Sequence, residues 1–352
     1  MKALASEVPY LRGEQSTIGP SIMLFRSLRH ARLRSKTGTK TRLKIPEGHF
    51  STRFFLRSVS SQRIVANVYG DNLQKHSDRF RVDAAINTIS CPDRHEADLI
   101  SLSAFLAEQP HMPVINNPAA VLRTGRADMA AMIADLPNLY VPRTRRITMP
   151  EKIDQALLAN AVRDIGLPVI LRKAGTHTGQ SMALIRSTDQ LASFAAALSP
   201  GDTIYATRFV DPRGEGRLFT KYRGFFIDGQ FYPVARLVSN SWNVHSGDRY
   251  RVMFAMNSAQ DRERAYLSNP ERVLGTDVMK ALHELPSRVG LDFFGIDFSQ
   301  MPDRSLVVFE VNAVMRHNYD HARTFPYTRE NLDRISQAFD AMVEKRMRSV
   351  PI

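Results

Sequence analysis

Two carboxylates stand among apolar residues in strand-like segments late in the chain. The segment Leu306–Asn312 reads LVVFEVN, and residues 293–298 read FFGIDF. Because side chains alternate between the two faces of a strand, Glu310 and Asn312 share one face. If the two strands pair, Asp297 approaches them, and these oxygen donors suit a magnesium ion that also holds phosphate oxygens. The alternative is that both acids form ordinary ion pairs with arginines, since an ionised carboxylate in apolar surroundings needs compensation.

A glycine-containing loop follows an apolar strand within residues 168–181, which read PVILRKAGTHTGQS. The strand ends in Arg172 and Lys173, whose charges can neutralise phosphate. The loop then supplies backbone N–H groups and hydroxyls at Gly175, Thr176, Thr178 and Gly179. It is not a Walker A loop, because no Gly-Lys-Ser/Thr follows at the right spacing and the next element is a strand. We predict a phosphate-binding loop, with a hairpin that binds no ligand as the alternative.

A basic β-hairpin is predicted around Asp228 and Gly229, a dipeptide that strongly favours a tight turn. Lys221 and Arg223 share a strand face before the turn, and Arg236 ends an apolar segment after it. Arginine forms bidentate hydrogen bonds with phosphate and carboxylate groups. These three cations are therefore candidates to bind a phosphate or a carboxylate, and a solvated basic strand face is the alternative.

The elements around these residues fall into three regions. Residues 1–60 are basic and weakly periodic, residues 61–140 alternate strand-like and helix-like segments, and residues 141–350 have a mixed α+β pattern. A small open α/β domain is predicted in the second region. Its expected strands lie near residues 64–69, 82–89 and 113–115, and its expected helices near 97–109 and 127–136. In the third region, Thr148 and Glu151 predict a capping box for a helix that reaches Ile165.

The order of the loop, the basic hairpin and the two acids resembles the ATP-grasp superfamily, especially its glutathione synthetase-like and ribosomal-protein glutamate ligase-like members. The resemblance covers about residues 61–350 and is most specific at Asp297 and at Glu310-Val311-Asn312, which look like the family's magnesium-binding Asp and Glu-x-Asn. It implies a small open α/β pre-ATP-grasp domain followed by an ATP-grasp fold. The two α+β subdomains of that fold, about residues 141–206 and 207–350, would clamp ATP with one or two magnesium ions, for which manganese can substitute.

The resemblance also implies how the nucleotide is bound. Arg172 stands where the family usually has a lysine on the ATP-phosphate strand, and Lys173 is the candidate to replace it. Residues 175–179 match the loop that folds over the phosphates. The hinge that holds adenine through backbone groups corresponds to Thr207, Arg208, Phe209 and Val210. Arg208 occupies the position of the usual glutamate, which is a departure from the family pattern.

An ADP-forming ligase is the activity that the resemblance implies. Lys221, Arg223 and Arg236 would face the phosphoryl group, and Arg316, His317 and Asn318 fall where the family places its substrate loop. Transfer of the γ-phosphoryl to a carboxylate gives an acyl phosphate, and an amine or thiol of an amino acid or peptide then displaces phosphate. Two alternative functions remain. One is a kinase that phosphorylates a hydroxyl, and the other is a non-catalytic protein that binds a nucleotide or nucleic acid.

The amino-acid composition indicates the cellular compartment and the kinds of partner to expect. The chain has one cysteine, which fits a reducing compartment. No apolar run approaches the roughly 18 to 20 residues that span a bilayer, so we expect a cytoplasmic protein with no membrane partner. Residues 1–67 hold 13 of the 48 basic residues and 3 of the 35 acidic ones. This basic region could bind nucleic acid, but it has no zinc pattern and no RNA motif, so a solvated tail is favoured. The sequence leaves open whether the protein forms a homo-oligomer.

Overall fold

The structure is a computed structural model, and it describes residues 22–27, 32–35, 41–44, 48–52, 55–56, 65–69, 83–176, 181–213, 217–313 and 315–348. Its first elements are β1 (Ile22–Arg26), β2 (Arg32–Ser35), β3 (Thr41–Lys44), β4 (Val65–Tyr69), β5 (Ala84–Asn87), α1 (Pro92–Ala107), β6 (Val114–Ile115), α2 (Pro118–Leu122) and α3 (Met129–Ile133). Strands β4, β1, β5 and β6 form one parallel sheet in that order, and β2 pairs with β3 as an antiparallel hairpin.

Strand β1 lies inside the first sheet, between β4 and β5. The predicted domain boundary at residue 60 placed this strand outside the α/β domain and is wrong at that point. The physical reason is burial: Ile22, Leu24 and Phe25 are almost fully inaccessible, and the pairing on both sides satisfies their backbone groups. The surrounding arginines and lysines obscure this short apolar run in the sequence.

The central subdomain is a second, antiparallel sheet with one longer helix. Its elements follow β7 (Leu139–Tyr140) and are β8 (Thr144–Thr148), α4 (Gln155–Ile165), β9 (Val169–Lys173), β10 (Met182–Ile185), a 3-10 turn (Thr188–Gln190), α5 (Leu191–Ala195) and β11 (Thr203–Arg208). The strand order is β10-β9-β11-β8. Buried Leu158, Val162 and Ile165 of α4 pack against Leu171 and Ile204 of the sheet, so the amphipathic pattern of the helix closes this core.

The predicted capping box at Thr148 and Glu151 is wrong. Thr148 is the last residue of β8 and pairs with Thr203 of β11, which keeps its backbone extended. The N-cap of α4 is instead Asp154, whose carboxylate accepts hydrogen bonds from the N–H groups of Ala156 at 2.8 Å and Leu157 at 3.1 Å. Long-range strand pairing therefore overrides the local capping signal.

The C-terminal subdomain is a five-stranded sheet covered by helices. Its elements are β12 (Phe219–Ile227), β13 (Gln230–Ser239), α6 (Asp248–Arg251), α7 (Asn257–Ser268), α8 (Pro270–Leu274), α9 (Thr276–Val289), β14 (Phe293–Gln300), β15 (Leu306–Asn312) and α10 (Arg329–Arg348), with 3-10 turns at Met253–Ala255, Tyr319–Arg323 and Pro326–Thr328. The order is β13-β12-β14-β15-β7. The predicted hairpin turn is confirmed, because Asp228 and Gly229 both have positive φ, at 48° and 81°.

Both faces of the C-terminal sheet are buried. Phe226 and Phe294 join a cluster with Leu282 of α9, and Phe225 and Phe293 join another cluster that includes α10. The acids of β14 and β15 therefore stand at the end of a sheet that is apolar on both sides. Within the described part of the chain, no helix is both long and apolar enough to cross a membrane.

Candidate active site

A cavity of about 390 Å³ opens between the central sheet and the C-terminal sheet. One wall comes from β9 and β11, with Ile170, Arg172 and Thr207, and the other includes Lys221 of β12 and Glu310 of β15. This volume lies within the roughly 300–1,000 Å³ of small-molecule sites. The two sheets therefore form a cleft of suitable size for a nucleotide.

Asp297 and Glu310 occupy opposite positions in the register of β14 and β15. Asn312 Nδ2 donates a hydrogen bond to Glu310 Oε1 at 3.0 Å, so the three predicted metal ligands lie together. The register shifts by one residue between Asp297 and Phe298, which places a β-bulge at Phe309. The strand alternation expected from the sequence is therefore interrupted beside the acids.

The carboxylate of Asp297 is buried and held by two cations of β12. Arg223 Nε donates to Oδ1 at 2.7 Å and Nη2 donates to Oδ2 at 2.8 Å, which is a bidentate pair. Lys221 Nζ lies 3.3 Å from Oδ2. Burial opposes ionisation, but the charges of Arg223 and Lys221 outweigh it and hold the pKa of the Asp297 carboxyl below its usual value.

Glu310 is paired with an arginine from the N-terminal domain. Arg126 Nη2 donates to Glu310 Oε2, and Arg126 lies three residues before α3. Burial again opposes ionisation, but Arg126 and Arg172 lower the pKa of the Glu310 carboxyl well below its usual value. Arg126 was not predicted from the sequence, because its one local signal is a Gly-Arg turn before a short helix. Its role depends on a contact across 184 positions of the chain.

The described part of the predicted phosphate loop lies against the first turn of α1. Gly175 N–H donates to Asp93 Oδ2 at 3.4 Å, and Arg94 Nε donates to the Gly175 carbonyl. Tyr205 Oη donates to Asp93 Oδ1 at 2.6 Å, which also ties β11 to this turn. Gly175 has a φ of 66°, and a Cβ there would lie 2.8 Å from Arg94 Cγ, so a side chain at this position would be strained. Asp93 and Arg94 carried no motif in the sequence.

Arg172 lines the cleft and donates to the carbonyl of Thr176. Burial and the neighbouring Arg126 lower the pKa of Arg172 to about 10, so it remains protonated near neutral pH. Thr176 Oγ1 donates to the Lys173 carbonyl at 2.6 Å. Two other predicted loop residues, Thr178 and Gly179, lie outside the described residues.

Lys173 does not line the cleft. Its Nζ pairs with Asp202 Oδ2 at 2.6 Å, and it follows Arg172 directly in β9, so it projects to the other face of the sheet. The geometry therefore offers no support for the expectation that Lys173 replaces the family lysine. Arg172 is the residue of this pair that approaches the acids.

Arg236 also lies away from Lys221 and Arg223. In the hairpin register Arg236 pairs with Tyr222, and its Nε donates to Tyr222 Oη at 3.2 Å on the opposite face of the sheet. Its backbone N–H donates to Glu263 Oε1 at 2.9 Å. The prediction that Arg236 faces the phosphoryl group together with Lys221 and Arg223 is therefore contradicted. The register of β12 and β13 places its side chain on the opposite face of the sheet.

The four residues of the predicted hinge all line the cleft, namely Thr207, Arg208, Phe209 and Val210. Phe209 N–H donates to the Pro168 carbonyl at 3.0 Å, and its ring meets Trp242 at 6.4 Å between centroids. Arg208 Nη1 donates to the Leu167 carbonyl at 2.7 Å. The Arg208 guanidinium therefore links the end of β11 to the segment that leads into β9.

The predicted substrate residues separate into two groups. Arg316 and Asn318 line the cleft. His317 is 2% exposed, its Nε2 lies 3.2 Å from Ser336 Oγ, and its ring packs against Phe55. The prediction that His317 contacts substrate is therefore wrong, because the chain turns its side chain into the core beside α10.

Asp297, Glu310 and Asn312 offer the oxygen donors that a divalent cation prefers, and a metal ion bound by them stays a prediction. In the structure both acids form ion pairs with arginines, which is the alternative interpretation of these residues. Both carboxylates are ionised and adjacent, and the third ligand is an amide, which suits a hard cation. In the described ranges no cluster of three or more His, Cys, Asp and Glu side chains could hold a metal, so this site depends on the amide of Asn312. Four cations reach the two acids, namely Arg126, Arg172, Lys221 and Arg223. The excess positive charge suits a polyphosphate.

The chain has the ATP-grasp fold. It is similar to D-alanine–D-alanine ligase from Bacillus anthracis complexed with ATP, at 11% identity and TM-score 0.50, with 93% of this chain and 99% of that chain covered. It is similar to a RimK domain ATP-grasp protein from Sphaerobacter thermophilus, at 14% identity and TM-score 0.50, with 90% and 99% covered. It is also similar to ATP-grasp ligase PsnB complexed with a phosphomimetic variant of a minimal precursor, Mg and ADP, at 14% identity and TM-score 0.50, with 95% and 100% covered. No protein-family model and no curated protein matches the sequence.

Proposed function

We propose that the chain is an ATP- and magnesium-dependent ligase that activates a carboxylate as an acyl phosphate and joins it to an amine or thiol. The observation that supports this most directly is the pair Asp297 and Glu310, which face each other at the cleft and are both ionised. Asp297, Glu310 and Asn312 would hold magnesium, which supplies charge neutralisation to the phosphates when bound.

The cations around the acids would stabilise the transferred phosphoryl group. A substrate carboxylate oxygen attacks the γ-phosphorus, the bond to ADP breaks, and an acyl phosphate forms. An amine or thiol then attacks the acyl carbon, phosphate leaves, and one proton is lost to solvent. Arg223 and Arg172 both line the cleft, so their guanidinium groups are positioned to stabilise charge on a phosphoryl oxygen.

His245 is a further candidate for substrate contact, since it lines the cleft beside Trp242. Burial and the charge of Lys221 lower the pKa of its imidazole, so it is neutral near pH 7. Gly247 N–H donates to His245 Nδ1 at 3.1 Å, which places the proton on Nε2. His245 is therefore suited to donate a hydrogen bond to a substrate oxygen and not to accept the proton of the amine.

The test is a screen for ADP release with Mg-ATP over amino acids and short peptides, followed by mass spectrometry of the product. The proposal expects an amide or thioester whose formation needs both substrates. A stable phosphate ester with a single acceptor would contradict it and indicate a kinase. Glu310→Gln should abolish turnover, whereas Glu271→Gln, at an exposed acid of α8, should leave it unchanged. Equal turnover of the two variants would also overturn the assignment.

A further inference from the structure

Two exposed aromatic side chains stand together beside the cleft. In the described part of the chain the exposed large hydrophobic side chains are Ile100, Tyr140, Tyr250 and Phe254. Tyr250 is 43% exposed and Phe254 is 62% exposed, and both rings pack against Phe325, at 5.5 Å and 6.4 Å between centroids. We call the exposed Tyr250 and Phe254, together with the buried Phe325 on which they pack, the aromatic platform. Clustering of exposed aromatic rings is typical of a surface that binds a partner.

The aromatic platform is continuous with the mouth of the cleft. Ser246 lines the cleft two residues before α6, the helix that contains Tyr250. On the other side, Arg316 lines the cleft and pairs with Asp320, and the neighbouring His321 packs against the Tyr250 ring at 5.3 Å. The two chain segments that carry the platform therefore also border the cleft.

A buried ion pair holds the platform in place. Arg249 Nη2 donates to Glu263 Oε1, and both side chains are almost fully buried. Tyr327 Oη donates to Glu263 Oε2 at 2.6 Å, and the Arg249 guanidinium lies 5.3 Å from the centre of the Phe325 ring. Loss of either charge would leave the other buried without compensation. The platform is therefore preorganised, which lowers the entropic cost of binding.

The charge around the platform selects the chemistry of its partner. Within residues 245–264 and 316–330, the exposed charged side chains are Arg251, Arg262, Arg264, Arg316, Arg323 and Arg329, with Asp261, Asp320 and Glu330. Three of these arginines already form ion pairs, namely Arg251 with Asp248, Arg264 with Asp261 and Arg316 with Asp320. The exposed arginines still outnumber the exposed acids by six to three. All the cations are arginines, which bind carboxylates in a bidentate manner and stack on aromatic rings. Arg264 already lies over the Tyr327 ring at 4.5 Å. An acidic chain with aromatic or large apolar side chains complements both properties.

We propose that the aromatic platform and its arginines dock an acidic peptide segment of the substrate, while a carboxylate of the same substrate enters the cleft. The inference rests on the proposed ligase function, because that function places a substrate carboxylate next to the platform. A peptide anchored there raises the effective concentration of the reacting group without new contacts at the acids. The substrate class is therefore a peptide or protein with an acidic, aromatic-containing segment.

The test is fluorescence anisotropy of the full chain with a fluorescein-labelled peptide of four Glu-Glu-Phe repeats. Matched probes are four Glu-Glu-Ser repeats, four Lys-Lys-Phe repeats and a twelve-residue oligouridylate. The proposal expects the Glu-Glu-Phe peptide to bind most tightly and with an affinity that falls as salt rises. Any of three results would overturn the proposal. These are no binding of the Glu-Glu-Phe peptide, equal binding of the Lys-Lys-Phe peptide, and tighter binding of the oligouridylate.

Matched variants separate docking from folding and from ATP chemistry. Phe254→Ser with Tyr250→Ser should weaken peptide binding at least about ten-fold, whereas Ile100→Ser, at a 54% exposed position of α1, should not. The affinity for Mg-ATP should stay unchanged in both, and both should unfold in a single cooperative transition. An equal loss in both would overturn the proposal. If the protein binds the peptide but no substrate in the screen causes ADP release, the proposed ligase function is contradicted. If the protein is an active ligase that does not bind the peptide, only the docking surface is contradicted.

Discussion

Asp297 and Glu310 lie directly opposite each other on β14 and β15, yet their carboxylates are neutralised by cations from different parts of the chain. Arg223 and Lys221 of the same sheet hold Asp297, and Arg126 of the N-terminal domain holds Glu310. Two adjacent anions would repel each other in a buried site without these partners. The arrangement couples the N-terminal domain to the acids of the candidate metal site.

Arg172→Met is expected to weaken Mg-ATP binding by about ten- to one-hundred-fold, because it removes a charge-assisted donor from the cleft. Lys173→Met is the matched control, since Lys173 pairs with Asp202 on the other face of β9. Its effect on nucleotide affinity should stay within about two-fold. Isothermal titration with a non-hydrolysable ATP analogue measures both. A larger loss in Lys173→Met than in Arg172→Met would show that Lys173 is the phosphate ligand.

Arg223→Met should lower the free energy of unfolding by roughly 3–5 kcal/mol, because it leaves the Asp297 carboxylate buried with Lys221 as a more distant partner. Adding Asp297→Asn to that variant should recover part of the loss. Urea unfolding of the two single variants and the double variant gives the coupling energy. Additive losses would contradict a direct pair between the two side chains.

The stability of the chain should fall steeply in acid. The folded pKa values of Asp297 and Glu310 are lowered from ordinary values of 3.8 and 4.5. Their contribution is therefore fully present above about pH 5 and is lost as the pH falls through the lowered values. Urea unfolding at a series of pH values from 7 to 3 measures the slope. Glu310→Gln should flatten the slope below pH 4.5, and Glu271→Gln should preserve it.

Tyr205→Phe should loosen the phosphate loop without disturbing the acids. The change removes the hydroxyl that donates to Asp93 Oδ1 at 2.6 Å and so weakens the link between β11, α1 and the loop. The expected cost is about 1 kcal/mol of local stability. Hydrogen exchange of the Gly175 amide, which donates to the same carboxylate, should become about five-fold faster. An unchanged rate at Gly175, with faster exchange elsewhere, would contradict this link.

Several features were predictable from local sequence. The alternation of LVVFEVN placed Glu310 and Asn312 on one strand, and Asp228-Gly229 placed the hairpin turn where it occurs. The helices of the C-terminal subdomain also follow their apolar periodicity, as in α9 and α10. These signals are local because the periods of a strand and a helix are set by the backbone itself.

The tertiary structure alone decided which of the candidate cations meet the acids. Arg236 and Arg223 are equally basic in the sequence, but the register of β12 and β13 turns Arg236 to the opposite face. Arg126 enters the site from another domain, and His317 leaves it for the core. Local pattern shows which face of an element is apolar. Which partner covers that face depends on pairing and packing between distant segments, and no short stretch of sequence contains that information.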